Sequence, residues 1–223
     1  MKVIIAGSSG MIGNLVLTHC LNSDQVTQVI SLVRQPTNLK NPKLNEVVIP
    51  DFEDYSLQEN LFKEVNTAFF CIGAYTGQVP DDLFKKITVN YAVEFAKAVA
   101  KNSPGATLCL LSGAGADRTE KSKTAFARYK GMAENQISKL DLQFYSLRPA
   151  YIYPVESRKE PNLAYRIFRA LYPVIKLFGN QYTIKSTELA QAIFQVGLHR
   201  ANQPILENKD ILEYVGRMDK SQA

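Results

Sequence analysis

Short apolar runs alternate along the chain with longer segments in which apolar residues recur at helical spacing. The short runs predict strands at residues 2–6, 29–33, 46–50, 67–73, 106–112 and 142–148, and the longer segments predict helices at residues 14–21, 57–65, 83–101 and 124–140. Several of the runs are apolar at nearly every position, which is typical of strands buried on both faces of a parallel sheet. The regular alternation therefore predicts an α/β fold with a doubly wound parallel sheet.

The alternation of predicted strands and helices stops after Pro154. Residues 162–178 form an apolar and basic stretch of helical spacing that Pro173 interrupts, and residues 188–199 form a second helical stretch. We expect one domain over residues 1–223, with a core of about residues 1–155 and a small C-terminal helical cap of about residues 156–223. The charged, proline-containing segment 156–161 is the expected join between core and cap.

The composition is that of an ordinary globular chain. Of 223 residues, 46% are hydrophobic and 21% are charged, which excludes a disordered or fibrous protein. The first strand reaches a glycine too early for a signal peptide, and no run of about 18 apolar residues occurs, so we expect a cytoplasmic chain without a transmembrane segment. Cys20, Cys71 and Cys109 lack the spacing of zinc ligands or disulfides, and we expect buried thiols and no metal site.

Lysine and arginine exceed aspartate and glutamate by 26 to 21, and the excess lies in residues 112–223. A basic field favours an anionic cofactor, a nucleic acid or a membrane surface, and charge alone does not choose among them. Residues 163–172 mix apolar side chains with arginine, as an interfacial helix does, but this spacing is commoner in a cap helix or a dimer contact. We therefore expect no nucleic-acid partner, and a homodimer fits the pattern.

A glycine-rich turn separates the first predicted strand from the first predicted helix. Gly7, Gly10 and Gly13 form the spacing G-x-x-G-x-x-G. Glycines at these places permit a tight turn and let a diphosphate approach the free N–H groups of the helix N-terminus. The other reading is a plain turn with close helix packing, but the position within a strand–turn–helix unit favours a dinucleotide site. The cofactor contacts predicted here are Gly7, Ser8, Ser9, Gly10, Met11, Ile12 and Gly13.

Arg34 ends the second predicted strand, where NAD enzymes place a carboxylate on the adenosine ribose. No acidic residue follows it before Glu46. A guanidinium grips a phosphate with two hydrogen bonds, so this position suits the 2′-phosphate of NADP. We expect NADP(H) to be preferred and NAD(H) to be accepted as well. A solvated surface arginine is the alternative.

Five segments carry a resemblance to a known family. They are residues 69–77, 89–90, 110–117, 130–134 and 148–154. On these segments the chain resembles the short-chain dehydrogenase/reductase superfamily, and more narrowly its atypical NAD(P)-binding branch that includes the human Tat-interacting protein of the CC3 type and bacterial relatives. The likeness spans about residues 1–200. It implies a Rossmann-like fold and oxidoreductase chemistry.

The resemblance also implies roles for individual residues. Ser112 would orient a substrate oxygen, a tyrosine would give or take the proton, Lys130 would bind the nicotinamide ribose and lower the pKa of that tyrosine, and Asn90 would help to hold a water near the lysine. An asparagine in a helix can equally bond its own backbone. The remaining cofactor contacts expected from the resemblance are Asp51, Phe52, Cys71, Ile72, Gly73, Ser112, Lys130 and Pro149.

The tyrosine of this pattern is missing. Two residues four apart share a helix face, and the position four residues before Lys130 is Phe126. A phenyl ring has no ionisable proton, and loss of a positioned acid commonly costs about 10²–10⁴ in rate. Tyr129 is a weak substitute because it points about 100° around the helix from Lys130. Other hydroxyls that follow strands are those of Tyr75, Thr76, Tyr151 and Tyr153.

Two functions remain open. The first is an NADP(H)-dependent oxidoreductase that acts on a small carbonyl or alcohol, with the hydride chemistry belonging to the cofactor. The second is a non-catalytic NADPH-binding redox sensor or regulatory protein, for which Phe126 is the motivation. The expected partner is accordingly a small-molecule substrate or a regulatory protein.

Overall fold

The computed structural model describes residues 1–75, 77–156 and 182–222, with side chains up to residue 217. In chain order the elements are β1 (Lys2–Ala6), α1 (Met11–Asn22), β2 (Gln28–Val33), β3 (Leu44–Val48), a 3₁₀ segment (Ser56–Phe62), β4 (Thr67–Phe70), α2 (Asp81–Lys85), a π-helical turn (Lys86–Asn90), α3 (Tyr91–Asn102), β5 (Thr107–Leu111), α4 (Ala125–Ile137), β6 (Gln143–Arg148), β7 (Tyr151–Tyr153), β8 (Thr183–Lys185), α5 (Ser186–His199), β9 (Ile205–Glu207) and α6 (Asn208–Gln222).

The main sheet has seven strands in the order β3-β2-β1-β4-β5-β6-β9, and every neighbouring pair is parallel. Strands β7 and β8 form a separate parallel pair. The order reverses beside β1, as it does in a doubly wound sheet. The predicted α/β, Rossmann-like fold is confirmed.

Side chains alternate between the two faces of the sheet. Ile4 of β1 packs on the face covered by α3 and α4, and its neighbours Val3 and Ile5 pack on the face covered by α1 and α5. Both faces are buried because helices cover both, which is why the strands read as unbroken apolar runs. The three cysteines are free and buried, as predicted.

The structure differs from the predicted cap boundary. Helix α5 packs against α1 and the sheet, and β9 extends the sheet beside β6. Leu189, Ile193 and Val196 of α5 are fully buried in the core, so this helix is a layer of the core and not a cap. The predicted cap helix at 162–178 and the basic stretch 163–172 lie outside the described residues. No helix in the described part of the chain is long and apolar enough to cross a membrane.

Candidate functional site

The glycine turn lies tightly between α1 and the end of β4. Gly7 has a φ of +92°, and a Cβ there would lie 2.7 Å from the backbone of Cys71 and Ile72. A Cβ on Gly13 would lie 2.0 Å from the carbonyl oxygen of Gly7. The amide of Gly10 donates to that same oxygen at 3.0 Å. These contacts require glycine at positions 7 and 13, and they hold the open N-terminus of α1 at the sheet edge.

The two serines of the turn face in opposite directions. Ser8 is buried, and its Oγ lies 2.6 Å from Oγ of Ser31 in β2. Ser9 is exposed and lines a cavity at the sheet edge. The Ser8 hydroxyl therefore points into the core, so a cofactor contact at this residue would have to use its backbone.

A cavity of about 170 Å³ lies on one side of the turn, at the ends of β1, β2 and β4. Arg34 stands at its rim and is exposed, and no carboxylate in the described part of the chain pairs with it. The rings of Phe52 and Tyr91 flank this cavity with centroids 5.7 Å apart. Predicted contacts that line it are Gly7, Ser9, Gly10, Arg34, Phe52, Cys71, Ile72 and Gly73.

Asp51 does not line this cavity. Its carboxylate is half-exposed and lies 3.9 Å from Nζ of Lys86, which makes a closer ion pair with Glu53 at 2.6 Å. Asn90 also faces this group, because its Nδ2 donates to Oε1 of Glu53 at 2.7 Å. Asn90 is thus exposed and bonded to Glu53, and it does not line the cavity that Ser112 and Lys130 line.

A larger cavity of about 430 Å³ lies on the other side of the turn, at the ends of β4, β5 and β6. It shares Gly10, Cys71, Ile72 and Gly73 with the smaller one, so the two form one cleft along the carboxyl edge of the sheet. Further predicted residues that line it are Met11, Ile12, Ser112, Lys130 and Pro149. Ligands of open α/β sheets bind at this edge.

Ser112 is fixed by a buried carboxylate. Its Oγ donates to Oε1 of Glu134 at 2.7 Å, and Ser146 donates to the same oxygen at 2.7 Å. Arg148 donates from Nε to Oε1 at 3.0 Å and from Nη2 to Oε2. Burial raises the pKa of Glu134, but hydrogen bonds from Arg148, Ser112 and Ser146 bring it below its usual value. Glu134 is therefore a fully buried anion.

Lys130 lies one helical turn before Glu134. It is buried, and its Nζ donates to the carbonyl oxygen of Leu111 at 3.0 Å. Burial lowers the pKa of Lys130 to about 8, although the charge of Glu134 acts to raise it. The cleft therefore contains an ammonium group that loses its proton far more easily than an ordinary lysine does.

Phe126 occupies the wall next to Lys130. Both side chains line the larger cavity, and the tip of the Phe126 ring packs on Gly113, where a Cβ would lie 2.4 Å from Cζ. Tyr129 is turned away and buried, and its hydroxyl donates to Oδ2 of Asp81 at 2.6 Å. Of the predicted catalytic residues, Ser112 and Lys130 line the larger cavity, whereas Tyr129 and Asn90 do not and bond to Asp81 and Glu53 instead.

Sequence reasoning missed the network beneath Ser112. Glu134 follows Lys130 by four residues, so it shares its helix face, and Arg148 ends β6 next to β5. The opposite charges of Glu134 and Arg148 at these two places could have indicated an ion pair in the core. Tyr75 and Tyr151 line the larger cavity, whereas Thr76 lies outside the described residues.

No protein-family model and no curated protein sequence matches this chain. Its structure is similar to that of yeast methylglyoxal/isovaleraldehyde reductase Gre2 complexed with NADPH, with a TM-score of 0.69 and 14% identity over 93% of this chain and 78% of that one. It is also similar to the Bordetella bronchiseptica enzyme WbmG in complex with NAD (TM-score 0.65, 16% identity, 100% and 79% covered). A third similar structure is glucuronic acid dehydrogenase from Chromohalobacter salexigens (TM-score 0.64, 12% identity, 100% and 89% covered). Identities this low establish the shared Rossmann-like fold alone.

Proposed function

We propose that this chain binds NADP(H), in preference to NAD(H), and is an oxidoreductase of the atypical short-chain dehydrogenase/reductase type that acts on a small carbonyl or alcohol. The observation that carries the proposal is the single cleft at the carboxyl edge of the sheet. It runs from Arg34, over the glycine turn, to Ser112 and Lys130. The three similar proteins described above include one in complex with NADPH and one in complex with NAD, which supports a dinucleotide as the ligand.

Each part of the cleft suits one part of the cofactor. The backbone of Gly7 and Gly10 at the N-terminus of α1 would hold the diphosphate, because a side chain there would fill the space. Phe52 and Tyr91 would flank the adenine, and Arg34 would bind the 2′-phosphate. Lys130 would hold the nicotinamide ribose. The bound nicotinamide would supply the hydride chemistry.

A second function is a non-catalytic NADPH-binding redox sensor or regulatory protein. Two observations favour it: a phenyl ring stands where the family has its acid, and the Ser112 hydroxyl donates its proton to Glu134. The two functions make the same prediction for binding and differ in turnover. A protein that binds NADPH yet reduces no small aldehyde or ketone at high protein concentration has the second function.

We predict that Arg34→Ala weakens NADPH binding at least about tenfold and changes NADH binding less than about threefold. The reason is that a hydrogen bond to a charged group contributes about 1.5–3 kcal/mol, and only NADPH carries the 2′-phosphate. Calorimetric titration of both nucleotides against wild-type and variant protein measures the ratio of dissociation constants.

Lys139→Ala is the matched control for this experiment. Lys139 is exposed and follows α4 just before β6, so it lies at the opposite edge of the sheet from Arg34. The substitution Lys139→Ala removes one positive charge, as Arg34→Ala does. Its substitution should leave the preference unchanged. If Arg34→Ala still preferred NADPH over NADH as strongly as the wild type does, Arg34 would be excluded as the ligand of the 2′-phosphate. If wild-type protein bound neither nucleotide, the proposed function would be refuted.

A further inference from the structure

We propose that Nζ of Lys130 gives the proton to the substrate oxygen directly, in the place of the missing tyrosine. This inference rests on the proposed oxidoreductase function and concerns the chemistry at the larger cavity. It assigns Lys130 the role of catalytic acid, beyond that of a ribose ligand.

The first support is the state of three side chains at or next to the positions of the family pattern, namely Phe126, Tyr129 and Ser112. Phe126 holds the tyrosine position and has no proton to give. The Tyr129 hydroxyl is bonded to Asp81 on α2. A serine hydroxyl carries one proton, and that of Ser112 is donated to Glu134, so Ser112 presents lone pairs to the cavity. Ser112 is thus placed to accept a hydrogen bond from an alcohol and not to donate one to a carbonyl.

The second support is the position of Lys130. Its ammonium group has three N–H donors, and one of them bonds to the carbonyl oxygen of Leu111. The side chain is buried yet lines the cavity together with Ser112. A substrate oxygen in this cavity can therefore accept a hydrogen bond from Lys130, while the alcohol that is formed can donate to Ser112.

The third support is the set of charged and titratable groups around the amine. Glu134 on the same helix raises the proton affinity of Lys130, but Arg148 from β6 pairs with that carboxylate. Cys71 at the end of β4 is a neutral thiol at physiological pH, because burial raises its pKa to about 12. Burial outweighs the attraction and brings the pKa of Lys130 to about 8. A general acid is most effective when its pKa lies near the working pH. Two further titratable groups, the hydroxyls of Tyr75 and Tyr151, belong to residues that line the cavity, and the test below includes a variant of each.

The proposed step balances as follows. The substrate carbon gains a hydride from the reduced nicotinamide, the π pair of the C=O bond moves to oxygen, and this oxygen takes a proton from Nζ of Lys130. The neutral amine then regains a proton from solvent. One carbonyl, one NADPH and one proton give one alcohol and one NADP⁺.

The test measures NADPH oxidation with a panel of small aldehydes and ketones that includes methylglyoxal and isovaleraldehyde, between pH 6 and 10. Wild-type turnover should fall as the pH rises through about 8, where the amine loses its proton. Lys130→Arg keeps the positive charge but cannot release a proton, and turnover should fall at least about 100-fold while NADPH affinity changes less than about tenfold. Lys139→Arg should behave as the wild type.

A second measurement does not depend on turnover. In protein labelled with ¹³C-lysine, the Cε signal that is missing from Lys130→Arg belongs to Lys130, and we expect its titration midpoint near pH 8. A midpoint above about 10 would overturn the inference. So would a Lys130→Arg protein with turnover close to the wild type, or a 100-fold loss in Tyr75→Phe or Tyr151→Phe instead.

The outcomes separate this inference from the proposed function. Wild-type protein that binds NADPH but reduces no compound of the panel refutes Lys130 as a catalytic acid and leaves the NADPH-binding function standing. Wild-type protein that binds no nicotinamide nucleotide refutes the proposed function itself.

Discussion

Glu134→Ala is expected to lower the free energy of unfolding by about 3 kcal/mol or more. Removing one partner of a buried ion pair leaves the other charge buried without a partner, which costs about 3–5 kcal/mol. Here the carboxylate is fully buried and accepts hydrogen bonds from Ser112, Ser146 and Arg148. Arg148 retains a second partner in Glu207 at 2.8 Å, which keeps the expected loss near the lower end of the range. Urea unfolding followed by circular dichroism measures the difference.

Glu207→Ala is the matched control. Glu207 pairs with the same arginine, but its side chain is 49% exposed. Surface ion pairs contribute about 0–1 kcal/mol, so this substitution should cost less than about 1 kcal/mol. Equal losses in the two variants would contradict the view that Glu134 is the buried centre of the network.

The same prediction has a dependence on pH. The folded-state pKa of Glu134 is lower than its unfolded value, so its ionised form stabilises the fold at a pH above the unfolded pKa of about 4.3. This contribution is lost as the pH falls through the folded-state pKa. The difference in stability between wild type and Glu134→Ala should therefore be complete at pH 7 and smaller at pH 3.

Local sequence pattern predicted most of the fold because both faces of the sheet are buried. Strands such as Thr67–Phe70 and Thr107–Leu111 are apolar at nearly every position, and glycine or proline marks several of their ends. Strand Ile205–Glu207 was not predicted, since three residues are too few for a periodic signal. Helix Ser186–His199 was predicted as a helix but assigned to the cap, because its pattern does not indicate which surface it covers.

The candidate site was predictable where the backbone decides the geometry. The φ of +92° at Gly7 and the close approach of Gly13 to the Gly7 carbonyl lie within one strand–turn–helix unit. Ser112 and Lys130 were expected from the family resemblance, and both line the larger cavity. The directions of side chains were less predictable. Tyr129 reaches Asp81, which is 48 residues earlier in the chain, and such a partner is fixed by tertiary packing alone.

Gly13→Ala is expected to abolish NADPH binding, with a dissociation constant at least about 100-fold higher than that of the wild type. The new methyl group would lie 2.0 Å from the carbonyl oxygen of Gly7. An ordinary contact needs roughly another 1 Å or more, so either the turn or the start of α1 must move. A Cβ on Gly7 would lie 2.7 Å from the backbone of Cys71 and Ile72, so little space is left for Gly7 to move toward β4. The amides that would hold the diphosphate are therefore displaced, and the loss of two hydrogen bonds to a charged group, at about 1.5–3 kcal/mol each, weakens binding at least about 100-fold.

Gly216→Ala distinguishes this effect from a general intolerance of alanine for glycine. Gly216 lies in α6, is exposed, and has no heavy atom within 4 Å of the place a Cβ would take. Alanine there should stabilise the helix by up to about 1 kcal/mol and leave NADPH binding unchanged. Thermal unfolding of both variants checks that Gly13→Ala still folds, and calorimetry with NADPH measures binding. If folded Gly13→Ala bound NADPH as tightly as the wild type, the close contact at Gly13 would not position the amides of the glycine turn for the diphosphate, and the prediction would be wrong.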